Sequence, residues 1–426
     1  MKQSGIDWIG EIPDDWKTRQ IRYLFSLRDE RNYKPLSEVN LISVYTDKGV
    51  LQHSDIEQTT GNKAQNADGY KHVYKNDLVV NIILCWMGAL GISDFDGVTS
   101  PAYDVYAPKD LNTILPKYYH YLFRTPQFNG KCYTEGRGIM QMRWRTYSSE
   151  FKSIKVPLPL KATQQHIAEY LDSKCAQIDS IIEESKKSIE EYKAWKQSVI
   201  FEAVTGKNLN CKKKDSGIEW IGEIPENYKL IRLKFLLKEK LQYGANSSGI
   251  EFTSDLPRYI RITDIKDSKT LYDENKLSLS EEDAKDYILD DNDILFARSG
   301  ATSGKCFIYR KEIGKATFAG YLIRAKIDET KLLPNFLVLY TMTKAYEEWK
   351  NQVCIQATIQ NISAEKYVNL IVPLPPLSEQ ESIAKMLDSK CSQIDSLIAE
   401  KESLIADLTE YKKSLIFEVV TGKRSV

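Results

Sequence analysis

Glycines ahead of a lysine can cradle phosphate, and Gly300-Ala301-Thr302-Ser303-Gly304-Lys305-Cys306 is where this chain comes nearest to such chemistry. The stretch is one residue short between its glycines, and Cys306 stands where a magnesium-binding hydroxyl is required. Gly300 and Gly304 read better as a tight loop that brings backbone close to a ligand, such as a DNA backbone. The four histidines (His53, His72, His120, His166) give no nucleophile and base pair by spacing, and His166 reads as a surface residue near a helix start. Glu191-Tyr192-Lys193 has the form of a nuclease triplet but falls on a predicted coiled coil. Seven scattered cysteines form no CxxC pair and no zinc-like cluster, which is the usage of a reduced, intracellular protein. No catalytic residue and no metal ligand is assigned.

Binding chemistry is better represented. From 298 to 326 there are seven Lys/Arg against one acid, whereas 273 to 293 holds nine acids against two lysines. Such segregation suits a surface that attracts phosphate beside one that repels it. Between 131 and 155, Lys131, Arg137, Arg143, Arg145, Lys152 and Lys155 are interleaved with Tyr133, Gln141 and Trp144. Arginine and amide side chains can read guanine and adenine edges bidentately. The candidate DNA contacts are Arg298, Ser299, Thr302, Ser303 and Lys305, with Gln356, Thr358 and Gln360 for readout or positioning, and Arg137, Gln141 and Arg143 in the first half. An ordinary solvated face is the alternative for each charge run.

These residues sit in two inserts of a chain that is written twice. SGIDWIGEIPDDWK from Ser4 returns as SGIEWIGEIPENYK from Ser216, and VPLP at Val156 returns at Val372. From each VPLP the copies run without a gap to Thr205-Gly206-Lys207 and Thr421-Gly422-Lys423. Thr163 to Val204 contains neither Pro nor Gly, and Ile167, Leu171, Cys175, Ile178, Ile182, Ile189, Tyr192, Trp195 and Val199 make one helical stripe. The second copy has a matching stripe and Ser378 and Glu381 at capping-box spacing. Two such stripes predict an antiparallel coiled coil, with Ser185 and Lys401 as polar interruptions that favour solvent or a further partner. The inserts read as mixed structure, with strands in DLVVNIILCWM, DILFARSG, KCFIYR and GYLIRAKI and helices at Pro116 to Phe123 and Pro334 to Tyr346.

The expected fold is α+β: two mixed α/β recognition domains separated by two long helices that form an antiparallel coiled coil, in a pseudo-two-fold circular arrangement. Its divisions are 1–155, 156–207, 208–371 and 372–426. Length (426 residues), 42% hydrophobic content and a charge balance of 59 against 59 fit packed domains and exclude any argument for nucleic acid or membrane binding from net charge alone. Without an apolar run of about 18 residues, a soluble cytoplasmic protein is expected.

The duplicated SGI-WIGEIP blocks, the two VPLP-to-TGK helices, YIRITDI (Tyr259 to Ile265) and LFARSGATSGK (Leu295 to Lys305) together resemble the specificity subunit of type I restriction-modification enzymes. The resemblance spans essentially the whole chain. It implies two target-recognition domains that each read half of a split double-stranded DNA sequence, and helices that act as spacer and dock two modification subunits. It also implies that S-adenosylmethionine, ATP and Mg belong to partner subunits, the modification subunits methylating adenine and restriction subunits translocating and cutting DNA. No cofactor is expected in this chain. The first recognition domain departs from the phrases of the second, reading LISVYTDKGV from Leu41 and lacking Ser and Lys around Gly88-Ala89-Leu90-Gly91. The competing reading is a non-catalytic scaffold whose two variable domains bind proteins; salt-dependent DNA binding separates the two.

Overall fold

The computed structural model describes residues 1–55, 66–139, 144–300, 302–354 and 361–426. They form two compact units, one made of Met1–Lys186 with Glu402–Val426, the other of Lys187–Lys401. Each unit carries a four-stranded antiparallel sheet. In the first, the order is Phe25–Arg28, Tyr103–Pro108, Leu78–Asn81, Leu90–Ile92; in the second it is Gln242–Tyr243, Leu322–Ala325, Ile294–Ala297, Cys306–Ile308. The apolar runs explain these strands: Leu78, Val79 and Val80, like Ile294 to Ala297, are buried on both faces. DLVVNIILCWM is a strand only as far as Asn81 and then turns into a short 3-10 helix, Cys85–Met87, closed by Gly88 at φ 94°. The segment from Pro334 is two helices, Pro334–Thr341 and Lys344–Cys354, because Met342 ends the first and the Thr343 hydroxyl accepts the Tyr346 N–H to start the second.

The long helices are Lys161–Thr205 and Leu377–Val420. In the first unit Ile167, Leu171 and Ile178 share one core with Leu415, Val419 and Val420, so the early half of one helix lies with the late half of the other. The second unit repeats this with Ile200, Ala203 and Val204 against Ile383, Ala384 and Leu387. The pairing within each unit is therefore antiparallel, and the stripes are buried by the neighbouring domain as well as by the partner helix. Register is marked by one ion pair written twice: Lys412–Asp179 and Lys196–Asp395, both 2.6 Å. Ser185 is 3% exposed, so this polar interruption is buried and does not face solvent.

A buried glutamine ties each helix start to its domain. Gln164 Oε1 accepts the Leu115 N–H at 2.8 Å while Nε2 donates to the carbonyls of Thr113 and Pro159. Gln380 makes the same three bonds to Leu333, Lys331 and Pro375. Ser378 lies inside its helix, and the expected capping box is replaced by this clamp. The helix ends are equally alike. Gly206 and Gly422 both have φ 71°, and a Cβ would come within 2.5 Å of Pro225 at the first and 2.4 Å of Pro13 at the second. The opening segment of the chain is thus seated on its closing residues, as the Ser216 segment is on Gly206. Among the described residues, no helix is long and apolar enough to cross a membrane.

Candidate nucleic-acid interface

The loop between strands Ile294–Ala297 and Cys306–Ile308 is closed by backbone bonds, Ala297 N to Lys305 O at 2.8 Å and Gly304 N to Ala297 O at 2.9 Å. Gly300, at φ 78°, has open space where a Cβ would sit. Gly304 is different: its φ is 87°, a Cβ there would meet Lys350, and its carbonyl accepts the Tyr346 hydroxyl at 2.8 Å. The second glycine therefore brings backbone close to the domain's own helix and not to a ligand. Ser303 is 3% exposed and packs within the loop, whereas Lys305 is exposed and Arg298, Ser299 and Thr302 are half-buried.

Arg298 is held at both backbone groups, its N–H donating to Tyr321 O at 3.0 Å and its carbonyl accepting the Ile362 N–H at 2.8 Å. The guanidinium carbon lies 4.9 Å from the centre of the Tyr243 ring. Sequence reasoning did not single out Tyr243 or Tyr321, since each acquires meaning only when strand pairing brings it beside Arg298. Arg298 falls 216 positions after Ile82, and the two stand alike in their units: the Ile82 carbonyl accepts the Thr146 N–H as the Arg298 carbonyl accepts that of Ile362.

Charge segregation along the sequence does not persist in space. Lys315 pairs with Glu281 (3.1 Å), Lys326 with Asp290 (2.9 Å) and Arg324 with Asp293 (3.8 Å), so the acidic stretch neutralises part of the basic one. Burial pushes the Asp293 carboxyl up to about 6 despite nearby Arg324 and Lys326. Hydrogen bonding to Asp290 raises the Lys326 ammonium. Arg310 is engaged by Asn292 and Asn335. The positive face that remains on this loop centres on Arg298 and Lys305.

In the first unit Arg137 and Arg145 exchange two backbone bonds, N–H to carbonyl each way at 2.9 and 3.1 Å. The Arg137 side chain, 70% exposed, pairs with Glu150 at 3.3 Å and lies 5.1 Å from the Tyr147 ring centre. Trp144 stacks on Tyr133 at 4.9 Å and donates its indole N–H to the Tyr133 carbonyl. Gln141, Arg143, Gln356, Thr358 and Gln360 lie outside the described residues. Among the described residues, no group of three His, Cys, Asp or Glu side chains is placed to hold a metal.

A family model described as "Type I restriction modification DNA specificity domain" matches residues 13–191 and again 214–405. The StySPI specificity subunit of Salmonella potsdam is 23% identical over 65% of this chain, and the match spans 58% of that relative's length. The MjaVIII specificity subunit of Methanocaldococcus jannaschii is 25% identical, covering 97% of this chain and 93% of the relative. A chain from a structure on complex assembly and conformational transition of the type I R-M system superposes with a TM-score of 0.73 at 13% identity, covering 97% of this chain and all of that one. The HsdS subunit from Thermoanaerobacter tengcongensis gives 0.55 at 14% identity, covering 97% and 98%. These last two likenesses establish the fold.

Proposed function

This chain belongs to the family of type I restriction modification DNA specificity domains, and from that premise we propose that it is the non-catalytic, sequence-reading subunit of a type I restriction-modification complex. The observation that carries the reading is a like frame bearing unlike surfaces. Each unit has the same ion pair, glutamine clamp and glycine seat, yet Arg298 in one stands where Ile82 stands in the other. Two different readers on a repeated frame suit a DNA target that is split and asymmetric, each unit reading one half. Lys305 contributes to phosphate attraction and Arg298 to base contact.

The helices also offer a place for partners. Trp195 is 52% exposed and Tyr411, 216 positions on, is 46% exposed; Ile181 and Leu397, equally spaced, are 44% and 38% exposed. Like apolar patches repeated once suit two copies of one partner, the modification subunit. That subunit would bring S-adenosylmethionine, and restriction subunits would bring ATP-driven translocation and cutting with Mg.

Mapping methylated adenines in DNA modified by this chain together with a modification subunit tests the reading. One asymmetric sequence, with two specified blocks and a fixed gap, is expected. Methyl transfer by the purified chain alone, or methylation without sequence preference, would refute it.

A further inference from the structure

We propose that Tyr243 holds the Arg298 guanidinium as a preset reader of one guanine in the half-site met by the second unit. The inference rests on the DNA-reading function above and adds the base that is read and a residue that positions its reader. Tyr243 is itself fixed. It pairs with Ile323 in the sheet, and its hydroxyl accepts the Ala364 N–H at 3.0 Å. Arg298 lies over this ring at 4.9 Å with its backbone held on both sides. A guanidinium stacked on an aromatic face keeps its planar fork pointing in one direction.

The Arg298 Nε is buried and has no hydrogen-bond partner, and among the described residues no carboxylate is paired with this side chain. A base must then be met end-on, through the two Nη groups, and two parallel donors match O6 and N7 of guanine. Phosphate attraction does not require such fixing, because exposed Lys305 on the same loop supplies a mobile charge. Tyr321 (65% exposed) and Tyr243 (39% exposed) leave ring surface beside the fork for neighbouring sugars or bases. In the first unit Ile82 stands at the place of Arg298 and has no guanidinium to make this contact. The guanine readout is therefore a property of one half-site only.

The test uses the full chain with its modification subunit, on its mapped target and on targets substituted at each specified position, over a salt titration. Wild type should prefer guanine at one position by roughly ten- to a hundredfold. Arg298→Lys should reduce that preference to about threefold or less with the salt slope unchanged, because charge is kept and the fork is lost. Tyr243→Leu should weaken the same preference while Tyr243→Phe, which keeps the ring, retains most of it. Thermal unfolding of each variant shows whether it is folded, and Tyr243→Phe gives a result should Tyr243→Leu fail. The proposal is overturned if no specified position is a guanine, or if Arg298→Lys discriminates as wild type does at all positions. Uniform weakening on every sequence with a smaller salt slope would make Arg298 a phosphate contact and would equally overturn it. Those outcomes leave the DNA-reading function standing, whereas a wild-type complex without sequence preference sinks both.

Discussion

His120 shows how a single residue sets a difference between the units. Its Nδ1 accepts the Ile92 N–H at 3.3 Å, a bond only the neutral ring can make. Burial first, and then Arg124, lower its pKa to about 4. The unfolded chain takes up this proton near pH 6.5, so between 6.5 and about 4 the unfolded state binds more protons and stability falls as pH falls. The loss is on the order of 2 kcal/mol by pH 4, since one pKa unit is about 1.4 kcal/mol and His120 is only half-buried. Val338 occupies the corresponding place in the second unit, counting from Pro116 and Pro334, and cannot titrate. Acid titration followed by hydrogen exchange should show the first unit opening before the second. His120→Gln should flatten the stability slope across that window.

Among the elements, the two long helices and their repeat were legible in the sequence because a stripe of apolar residues over twelve turns has few alternative readings. Their start was not. Ser378 and Glu381 have capping-box spacing, yet the helix begins one residue earlier and Gln380 makes the anchoring bonds, which depend on carbonyls at Lys331 and Pro375 that no spacing rule reveals. Gln380→Leu leaves the Leu333 N–H and two carbonyls without their partner and should cost about 2 to 4 kcal/mol, measured by urea unfolding, with m-value unchanged. The candidate loop was partly legible: Arg298 and Lys305 could be named, but Ser303 packs inward and Gly304 serves its own domain. Tyr243 was illegible because a strand pairing 55 residues away from Arg298 in sequence makes the contact. Helix length carries a further expectation. Inserting four residues between Ser185 and Ile189 adds about 6 Å along the axis. The unread gap of the target should lengthen by about one or two base pairs at 3.4 Å each while both specified blocks stay the same. Methylation mapping of the insertion variant checks this, and an active complex with an unchanged gap would contradict the helices as a ruler.

At the scale of the whole molecule, the first unit is assembled from both ends of the chain. Trp16 and Pro13 line the seat of Gly422, and the Tyr118 hydroxyl donates to the Val420 carbonyl at 2.7 Å. The same seat at Gly206 is crossed by continuous chain, Lys207 to Ser216. Joining the present ends through about two added residues and opening the chain near Asn210 should therefore give a folded protein. Its melting temperature should lie within about 5 °C of the parent, a shift of the size expected from about 1 kcal/mol or less. By contrast, Gly422→Ala adds a Cβ at φ 71° against Pro13 and should be clearly less stable than Gly5→Ala, where φ is 67° but space is open.

The seating of the last helix in the first unit also bears on synthesis. When Lys186 has left the ribosome, Trp16, Tyr118 and Leu171 have no Leu415, Val419 or Val420 to cover them, and 215 residues separate Lys186 from Glu402. At roughly 5 to 20 residues per second, that apolar surface waits roughly 10 to 40 s for its last helix. The second unit, Lys187–Lys401, is contiguous and can close first. A nascent chain thus matures from its middle outward, and a message broken near its 3′ end yields a product with an open core, fit for chaperones and proteases and unfit for assembly.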